Sequence, residues 1–219
     1  MLRARTFTLA MAVFLAVVVT APSAASADTF SAETYSSKMK GRLDPESVFK
    51  FTTTAGTVSC SQFSSSTQAF AAGTTLPVDP TLSGCTGFFS TVVTMNGCYF
   101  LLHVQGGTST QGDLDVVCLG SGEITITASS AGVTKCIVHI PAQTDLGGTV
   151  TYTNVGSGTT REITVDINAT GLDYTHTSGT GLGACTAGSA TNGGIETKLL
   201  FTGEKVSEAV HVGLFMSND

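Results

Sequence analysis

The sequence predicts an all-β protein, namely a single-domain β-sandwich of short antiparallel strands stapled by disulfides, with a β-barrel as the alternative. Three observations lead to this fold class. Apolar and polar residues alternate with a period of two along most of the chain, glycine-rich turns separate the alternating runs, and six cysteines lie far apart in the sequence. A period of two places every second side chain on one face of a strand, so each run can bury one face.

The first 27 residues have the composition of a secretory signal peptide. Two arginines precede an apolar run over residues 9–19, and residues 25–27 read ASA, which fits an A-x-A cleavage pattern. The apolar run is shorter than the ~20 residues that a transmembrane helix requires. We therefore expect residues 1–27 to be removed and residues 28–219 to form one secreted, extracellular all-β domain with no membrane span.

The alternating runs that define the strands are regular. Val and Thr are abundant in them, as is typical of a half-buried pleated surface. The stretch 82–104 carries no charged side chain and two cysteines, and we interpret it as strands of one sheet. The clear alternating runs cover residues 98–104, 114–118, 136–140, 163–169, 195–201 and 210–214.

The cysteines indicate disulfides and not a metal or redox site. No two of them are closer than thirteen residues, and there is no C-x-x-C and no Cys-His cluster. Structural zinc sites and thioredoxin-type sites both need close pairs of ligands or thiols. Six cysteines allow 15 pairings; we favour the sequential one, because strands that are consecutive in sequence are usually neighbours. That pairing is Cys60–Cys85, Cys98–Cys118 and Cys136–Cys185.

Two stretches lack a clear strand pattern. Residues 62–80 are rich in Ser, Ala and Thr and are predicted to form a surface loop. Residues 175–194 are rich in glycine and are predicted to form a flexible loop tethered by Cys185. Within it, residues 179–184 match the dinucleotide pattern G-x-G-x-x-A, but that motif needs a strand before it and a helix after it. We interpret it as loop sequence.

The basic residues are few and unevenly placed. Without residues 1–27 the chain has eight basic and sixteen acidic residues, a net charge of about −8, which argues against nucleic acid as a partner. Lys38, Lys40 and Arg42 alternate along the first predicted strand and so lie on one side of it. This cationic strip is either a contact for an anionic cell-wall polymer or another surface protein, or a set of charges that protects a sheet edge.

No catalytic motif is present. The four histidines lack metal-ligand spacing, and there is no G-x-S-x-G elbow. Asp113 and Asp115 lie on one strand face; two such carboxylates suit calcium, but we interpret them as solvent-facing strand residues. We expect no catalytic residue, no metal and no cofactor.

Five segments carry a resemblance to a known family: "VFKFTTTAGTVSC", "PTLSGCTGF", "VTMNGCYF", "ITITASSAGVTKCIVHIP" and "VTYTN". In their order and composition they resemble a family of small secreted, cysteine-containing, Thr-rich β proteins of soil actinobacteria. The resemblance covers most of the chain after residue 27. It implies the all-β fold, export and disulfide stapling, and it transfers no activity and no site residue.

These observations favour a secreted, disulfide-stabilised β module that binds a partner or forms part of the cell exterior, with cell-wall association left open. Two alternatives from other classes remain. One is an extracellular hydrolase of polysaccharide or protein, for which the scattered acids nominate no catalytic pair. The other is a subunit that assembles through exposed strand edges into a surface layer or fibre.

Overall fold

The structure is a computed structural model that describes residues 28–34, 37–66, 71–87, 89–105, 110–208 and 210–217. The proposed signal peptide lies outside the described residues. The described part forms sixteen β-strands and a single 3₁₀ turn at Gly158–Thr160. The strands are β1 (Thr29–Ala32), β2 (Ser37–Leu43), β3 (Phe49–Thr53), β4 (Gly56–Ser66), β5 (Thr75–Val78), β6 (Pro80–Thr86), β7 (Ser90–Thr94), β8 (Cys98–Val104), β9 (Gln111–Cys118), β10 (Ile124–Ser130), β11 (Val133–Ile140), β12 (Gln143–Val155), β13 (Glu162–Ser178), β14 (Gly188–Lys205), β15 (His211–Val212) and β16 (Leu214–Ser217).

Eight antiparallel strands close into a barrel, in the order β14–β2–β4–β6–β7–β10–β11–β13 and back to β14. The prediction of an all-β, antiparallel, disulfide-stapled fold is confirmed, and the architecture is the barrel alternative. Closure depends on β13 and β14, which have 17 and 18 residues. Because β14 is so long, it pairs with β13 on one side and with both β3 and β2 on the other.

Four outer strands extend the sheet beyond the ring, from β13 through β12, β9 and β8 to β5. β12 pairs with the first half of β13, and β11 pairs with its last residues, so the sheet branches along β13. β1 and β16 form a separate two-stranded sheet. Phe30 of β1 packs edge-on against Tyr152 of β12, with the ring centroids 5.3 Å apart, which attaches this small sheet to the outer strands.

A bulge in β13 changes which of its side chains are buried. The odd-numbered residues Ile163 to Ala169 are buried, as predicted, but after Gly171 the buried residues are Leu172 and Tyr174. The register of β13 against β14 shifts here, and Gly171 has a φ of 78°, a conformation that favours glycine. The bulge therefore points Tyr174 and His176 inward, where an unbroken alternation would have pointed Thr175 and Thr177.

The core is continuous between the ring and the outer strands. Phe49 of β3 is fully buried and lies 5.1 Å from Phe51, 5.9 Å from Phe63 and 5.7 Å from Phe100, measured between ring centroids. Phe63 belongs to the barrel and Phe100 to β8, so the Phe49 ring joins the two layers. Apolar packing of this kind contributes most of the stability of a domain.

The three disulfides confirm the sequential pairing. Cys60–Cys85 links β4 to β6, and Cys98–Cys118 links β8 to β9. In both cases the two cysteines are directly paired in the strand register. Cys136–Cys185 instead links β11 to the loop between β13 and β14. Hence two disulfides staple neighbouring strands, and the third tethers a loop.

Both predicted loops are shorter in the structure. Within residues 62–80, β4 continues to Ser66 and β5 covers Thr75–Val78. Within residues 175–194, β13 continues to Ser178 and β14 begins at Gly188, which leaves only residues 179–187 as the loop. The Ser-rich and Gly-rich composition hid these strand ends, although Phe63, Leu76 and Val78 are buried within the first stretch.

Candidate binding site

A cavity of about 470 Å³ lies at the end of the barrel where β3 turns into β4 and β10 turns into β11. The β3–β4 turn forms one wall, and the starts of β7 and β11 and the end of β10 form others. The 179–187 loop, through its residues 183–186, lies over it. We call this space the mouth cavity.

The lining of the mouth cavity is apolar with a rim of threonines. Val58, Phe89, Ile126 and Val138 supply aliphatic and aromatic surface, and the Cys136–Cys185 disulfide adds to it. Among the described lining residues there is no Asp, Glu, Lys or Arg. Concave sites that are mainly apolar and have a few polar groups are typical of small-molecule binding.

His176 is the titratable residue in this lining. Its Nε2 atom is buried and has no hydrogen-bond partner among the residues that the structure describes. The imidazole packs against Tyr174 with the ring centroids 5.0 Å apart. Burial lowers the pKa of His176 below the ordinary value, because the charged imidazolium loses solvation there. His176 is therefore neutral at pH 7.

Tyr174 fixes the wall beside His176. Its hydroxyl accepts a hydrogen bond from the Thr54 backbone N–H at 2.7 Å and donates to Asn192 Oδ1 at 3.0 Å. These bonds connect β13 to the β3–β4 turn and to β14. Since the Tyr174 ring is fully buried and its hydroxyl is satisfied, it holds the imidazole of His176 in place from one side.

The loop over the cavity is fastened at several points. The carbonyl of Lys135 accepts hydrogen bonds from the backbone N–H groups of Gly179 and Cys185, both at 3.1 Å. Lys135 Nζ donates to the Thr180 carbonyl at 2.9 Å. The residues of the G-x-G-x-x-A pattern thus form a loop between two strands, and no helix follows them. This confirms their interpretation as loop sequence.

The cationic strip lies elsewhere, on the outer face of the barrel. β2 pairs with β14 along its whole length and with β4 at residues 40–42, so it is an interior strand at Lys40 and Arg42 and the edge-protection alternative is wrong there. Lys40 forms an ion pair with Glu204, and Arg42 lies 3.6 Å from Glu162. The hydrogen bond from Lys40 lowers the pKa of the Glu204 carboxyl. Lys38 faces Glu204 across the β2–β14 ladder.

An open groove of about 790 Å³ accompanies this strip, and its lining includes Lys40, Arg42, Asp79 and Glu162. It is larger than the mouth cavity, but its charges are mixed in sign and its cations already have acidic partners. Surface ion pairs of this kind are worth at most about 1 kcal/mol, so a polyanion can displace them. Binding of an anionic polymer through Lys38, Lys40 and Arg42 stays a prediction.

Replacing Lys38, Lys40 and Arg42 with Gln tests that prediction. If the strip binds an anionic wall polymer, purified cell walls at low salt should retain the parent protein and not the triple variant. The free energy of unfolding of the triple variant should stay within about 1.5 kcal/mol of the parent value, at ~0.5 kcal/mol for each site. The control replaces Glu162 and Glu204 with Gln, which frees the two cations and should strengthen binding. Equal retention of all three proteins would show that the strip is not a binding surface.

Two further histidines form pairs that the sequence did not indicate. His103 Nε2 lies 2.8 Å from Asp115 Oδ2, and Asp115 Oδ1 accepts the backbone N–H of Asp145 at 2.8 Å. Asp115 is buried, so its interpretation as solvent-facing is wrong. The pairing of β8 with β9 brings His103 and Asp115 together. His103 lies opposite Asp113 in the register, and its side chain reaches Asp115, two residues further along β9.

The other pair extends to a hydroxyl group. His139 Nδ1 lies 2.5 Å from Glu123 Oε1, and His139 Nε2 lies 3.1 Å from Thr177 Oγ1. The order carboxylate–imidazole–hydroxyl is that of a hydrolytic triad. None of the three residues lines the mouth cavity or the outer groove.

Within the described part of the chain, no cluster of three or more His, Cys, Asp or Glu side chains has the geometry to hold a metal ion. Those residues also contain no helix long and apolar enough to cross a membrane.

Comparison of the chain with protein-family models, with curated proteins and with solved structures gives no significant match. The resemblance to secreted actinobacterial proteins therefore stays a prediction.

The buried imidazole predicts a pH dependence of stability. Because the native pKa of His176 lies below its unfolded value of about 6.5, the unfolded chain takes up this proton first as the pH falls. The contribution of His176 to the free energy of unfolding is therefore complete above about pH 6.5 and is lost as the pH falls toward the native pKa. Urea unfolding between pH 8 and pH 5 should show a shallower decline for His176→Phe, whereas the exposed-site variant His211→Phe should follow the parent protein.

Proposed function

We propose that this protein is a secreted binding module that takes up a small, largely apolar molecule in the mouth cavity. The observation that carries the proposal is a concave apolar space at one end of a closed barrel, with a buried and unpartnered imidazole nitrogen in its wall. Its volume of about 470 Å³ lies within the ~300–1,000 Å³ range of ligand pockets. The three disulfides and the all-β fold are compatible with an extracellular module.

The structure offers less support for the two alternatives. Assembly through strand edges needs a long unpaired edge. In the described sheet, the terminal strands are β5 and β15, with four and two residues, and β5 contains Pro77, which cannot donate to a ladder. For the hydrolase alternative, the carboxylate–imidazole–hydroxyl set of Glu123, His139 and Thr177 contributes to the lining of neither cavity.

Filling the cavity tests the proposal. The neutral dye Nile red should bind the protein that begins at Asp28 with a rise in fluorescence, because the cavity is apolar. Ala128 lies on the cavity wall, and Ala128→Phe should reduce the affinity at least tenfold by occupying the space. Ala184→Trp, in the loop over the cavity, serves as a second variant whose change lies outside the barrel strands.

The matched control is Val92→Phe. Val92 is 61% exposed on β7, so this substitution adds bulk to the outer surface and leaves the cavity unchanged. Thermal unfolding verifies that each variant is folded before its affinity is compared. Absence of dye binding by the parent protein, or equal binding by Ala128→Phe, Ala184→Trp and Val92→Phe, would show that the mouth cavity is not a binding site.

A further inference from the structure

The buried side-chain polar atoms around the mouth cavity are satisfied within the protein, with one exception. Thr53 Oγ1 donates to the Gly56 carbonyl at 3.1 Å, and Thr91 Oγ1 donates to the Phe89 carbonyl at 2.9 Å. The Tyr174 hydroxyl has two partners. Among the side-chain atoms described in this lining, His176 Nε2 is the buried one without a partner. A buried polar atom without a hydrogen bond is destabilising unless water or a ligand supplies the bond.

The electrostatics of the cavity disfavour a charged group at that atom. The described lining holds no acidic or basic side chain, and His176 itself is neutral at pH 7. The charged groups on the neighbouring elements have other contacts, because Lys135 bonds to the Thr180 carbonyl and His139 pairs with Glu123 on the outer face. A carboxylate or ammonium group would lose its hydration here and gain no ionic partner.

The imidazole also restricts the kind of neutral group. A neutral histidine presents Nε2 as an acceptor in one tautomer and as a donor in the other. A hydroxyl group can donate or accept, so it satisfies Nε2 in either tautomer, whereas a carbonyl can only accept. Apart from the threonines of the rim, the remaining contact surface is aliphatic, aromatic and disulfide, which suits a hydrocarbon skeleton.

We propose that the ligand of the mouth cavity is a neutral, hydroxyl-bearing hydrocarbon, an alcohol or a phenol, whose hydroxyl group hydrogen-bonds to His176 Nε2. This inference rests on the proposed binding function and specifies its ligand class. His176 is then the specificity-determining residue of the site. The apolar wall formed by Val58, Ile126 and Val138 contacts the rest of the molecule.

Three probes of similar shape distinguish the ligand classes: 2-naphthol, 2-methylnaphthalene and 2-naphthoate. Their dissociation constants are measured at pH 7.5 by displacement of Nile red from the protein that begins at Asp28. We expect 2-naphthol to bind about tenfold more tightly than 2-methylnaphthalene, which leaves Nε2 without a bond. We expect 2-naphthoate to bind most weakly.

The variant His176→Phe keeps an aromatic ring against Tyr174 and removes the hydrogen-bonding atom. It should bind 2-naphthol and 2-methylnaphthalene equally. The control His139→Phe makes the same change on the outer face, and it should keep the tenfold preference. A measurement on the parent protein does not depend on either variant folding: the His176 imidazole NMR signals should shift with 2-naphthol and stay nearly constant with 2-methylnaphthalene.

The outcomes separate the two proposals. If Nile red binds but 2-naphthol has no advantage, or if the advantage persists in His176→Phe, the ligand class is wrong and the binding function stands. Tightest binding of 2-naphthoate also overturns the ligand class. If Nile red does not bind the parent protein at all, the proposed function fails and the ligand class fails with it.

Discussion

Replacing Phe49 with Ala is expected to lower the free energy of unfolding by about 3–5 kcal/mol, the usual range for a buried phenylalanine. Phe49 is fully buried and contacts Phe51 on its own strand, Phe63 in the barrel and Phe100 in the outer strands. Removing its ring therefore leaves a cavity between the barrel and the outer strands, and both layers would have to move to fill it. Urea unfolding, followed by near-UV circular dichroism, measures the loss.

Phe215→Ala is the matched control for this substitution. Phe215 lies on β16, is only partly buried and packs under the Arg161 guanidinium, 4.7 Å from the ring centroid. Its loss should reduce the free energy of unfolding by about 1 kcal/mol, since little apolar area is re-exposed. A similar loss for both variants would mean that Phe49 does not join the layers as described.

Removing the Cys136–Cys185 disulfide should have the second large effect. It should lower both the free energy of unfolding and the affinity for Nile red. The bond closes a loop with a sequence separation of 49, so replacing both cysteines with Ala should cost about 4 kcal/mol through the entropy of the unfolded chain. The same change removes the covalent link between the 179–187 loop and β11, so that only the hydrogen bonds with Lys135 hold the loop there. We therefore expect Nile red affinity to fall as well, because both cysteines line the mouth cavity.

The control removes Cys60 and Cys85 instead. This disulfide has a sequence separation of 25 and links β4 to β6, and neither cysteine lines the cavity. Its loss should cost about 3–4 kcal/mol and leave dye affinity unchanged in the folded protein. If the two double variants lose dye binding to the same extent, the tethered loop contributes nothing specific to the site.

The outer groove and the mouth cavity differ in the groups that they offer a ligand. The outer groove holds cations whose acidic partners are already in contact, so a ligand must compete for them. The mouth cavity holds a neutral imidazole whose hydrogen bond is unmade. An unmade buried bond favours binding more than an exposed ion pair that must first be broken, which is why we place the primary site at the mouth.

The sequence by itself determined the strand-forming runs and the buried faces of most of them, and it favoured the disulfide pairing that the structure has. Alternation with a period of two is a local property, so Ile163 to Ala169 could be assigned to the core without a structure. Cysteine spacing excluded close metal-ligand pairs for a similar reason. For two of the three pairs, the order of the cysteines then matched the order of neighbouring strands, as short connections favour.

Only the tertiary structure decided closure and the site. Closure requires β14 to pair with both β13 and β2. Whether it can do so depends on the twist and lengths of many strands together, which no local sequence pattern specifies. The bulge at Gly171 shifts the phase of β13 and turns His176 inward, although glycines are common in this chain and most do not mark a bulge. Lys40 and Arg42 likewise belong to a pattern of cations at every second residue, which is typical of an edge strand. In the structure, however, β2 has a neighbouring strand on both sides of these residues. Pairing between distant strands is a long-range property, so the residues that it brings together cannot be read from their spacing along the chain.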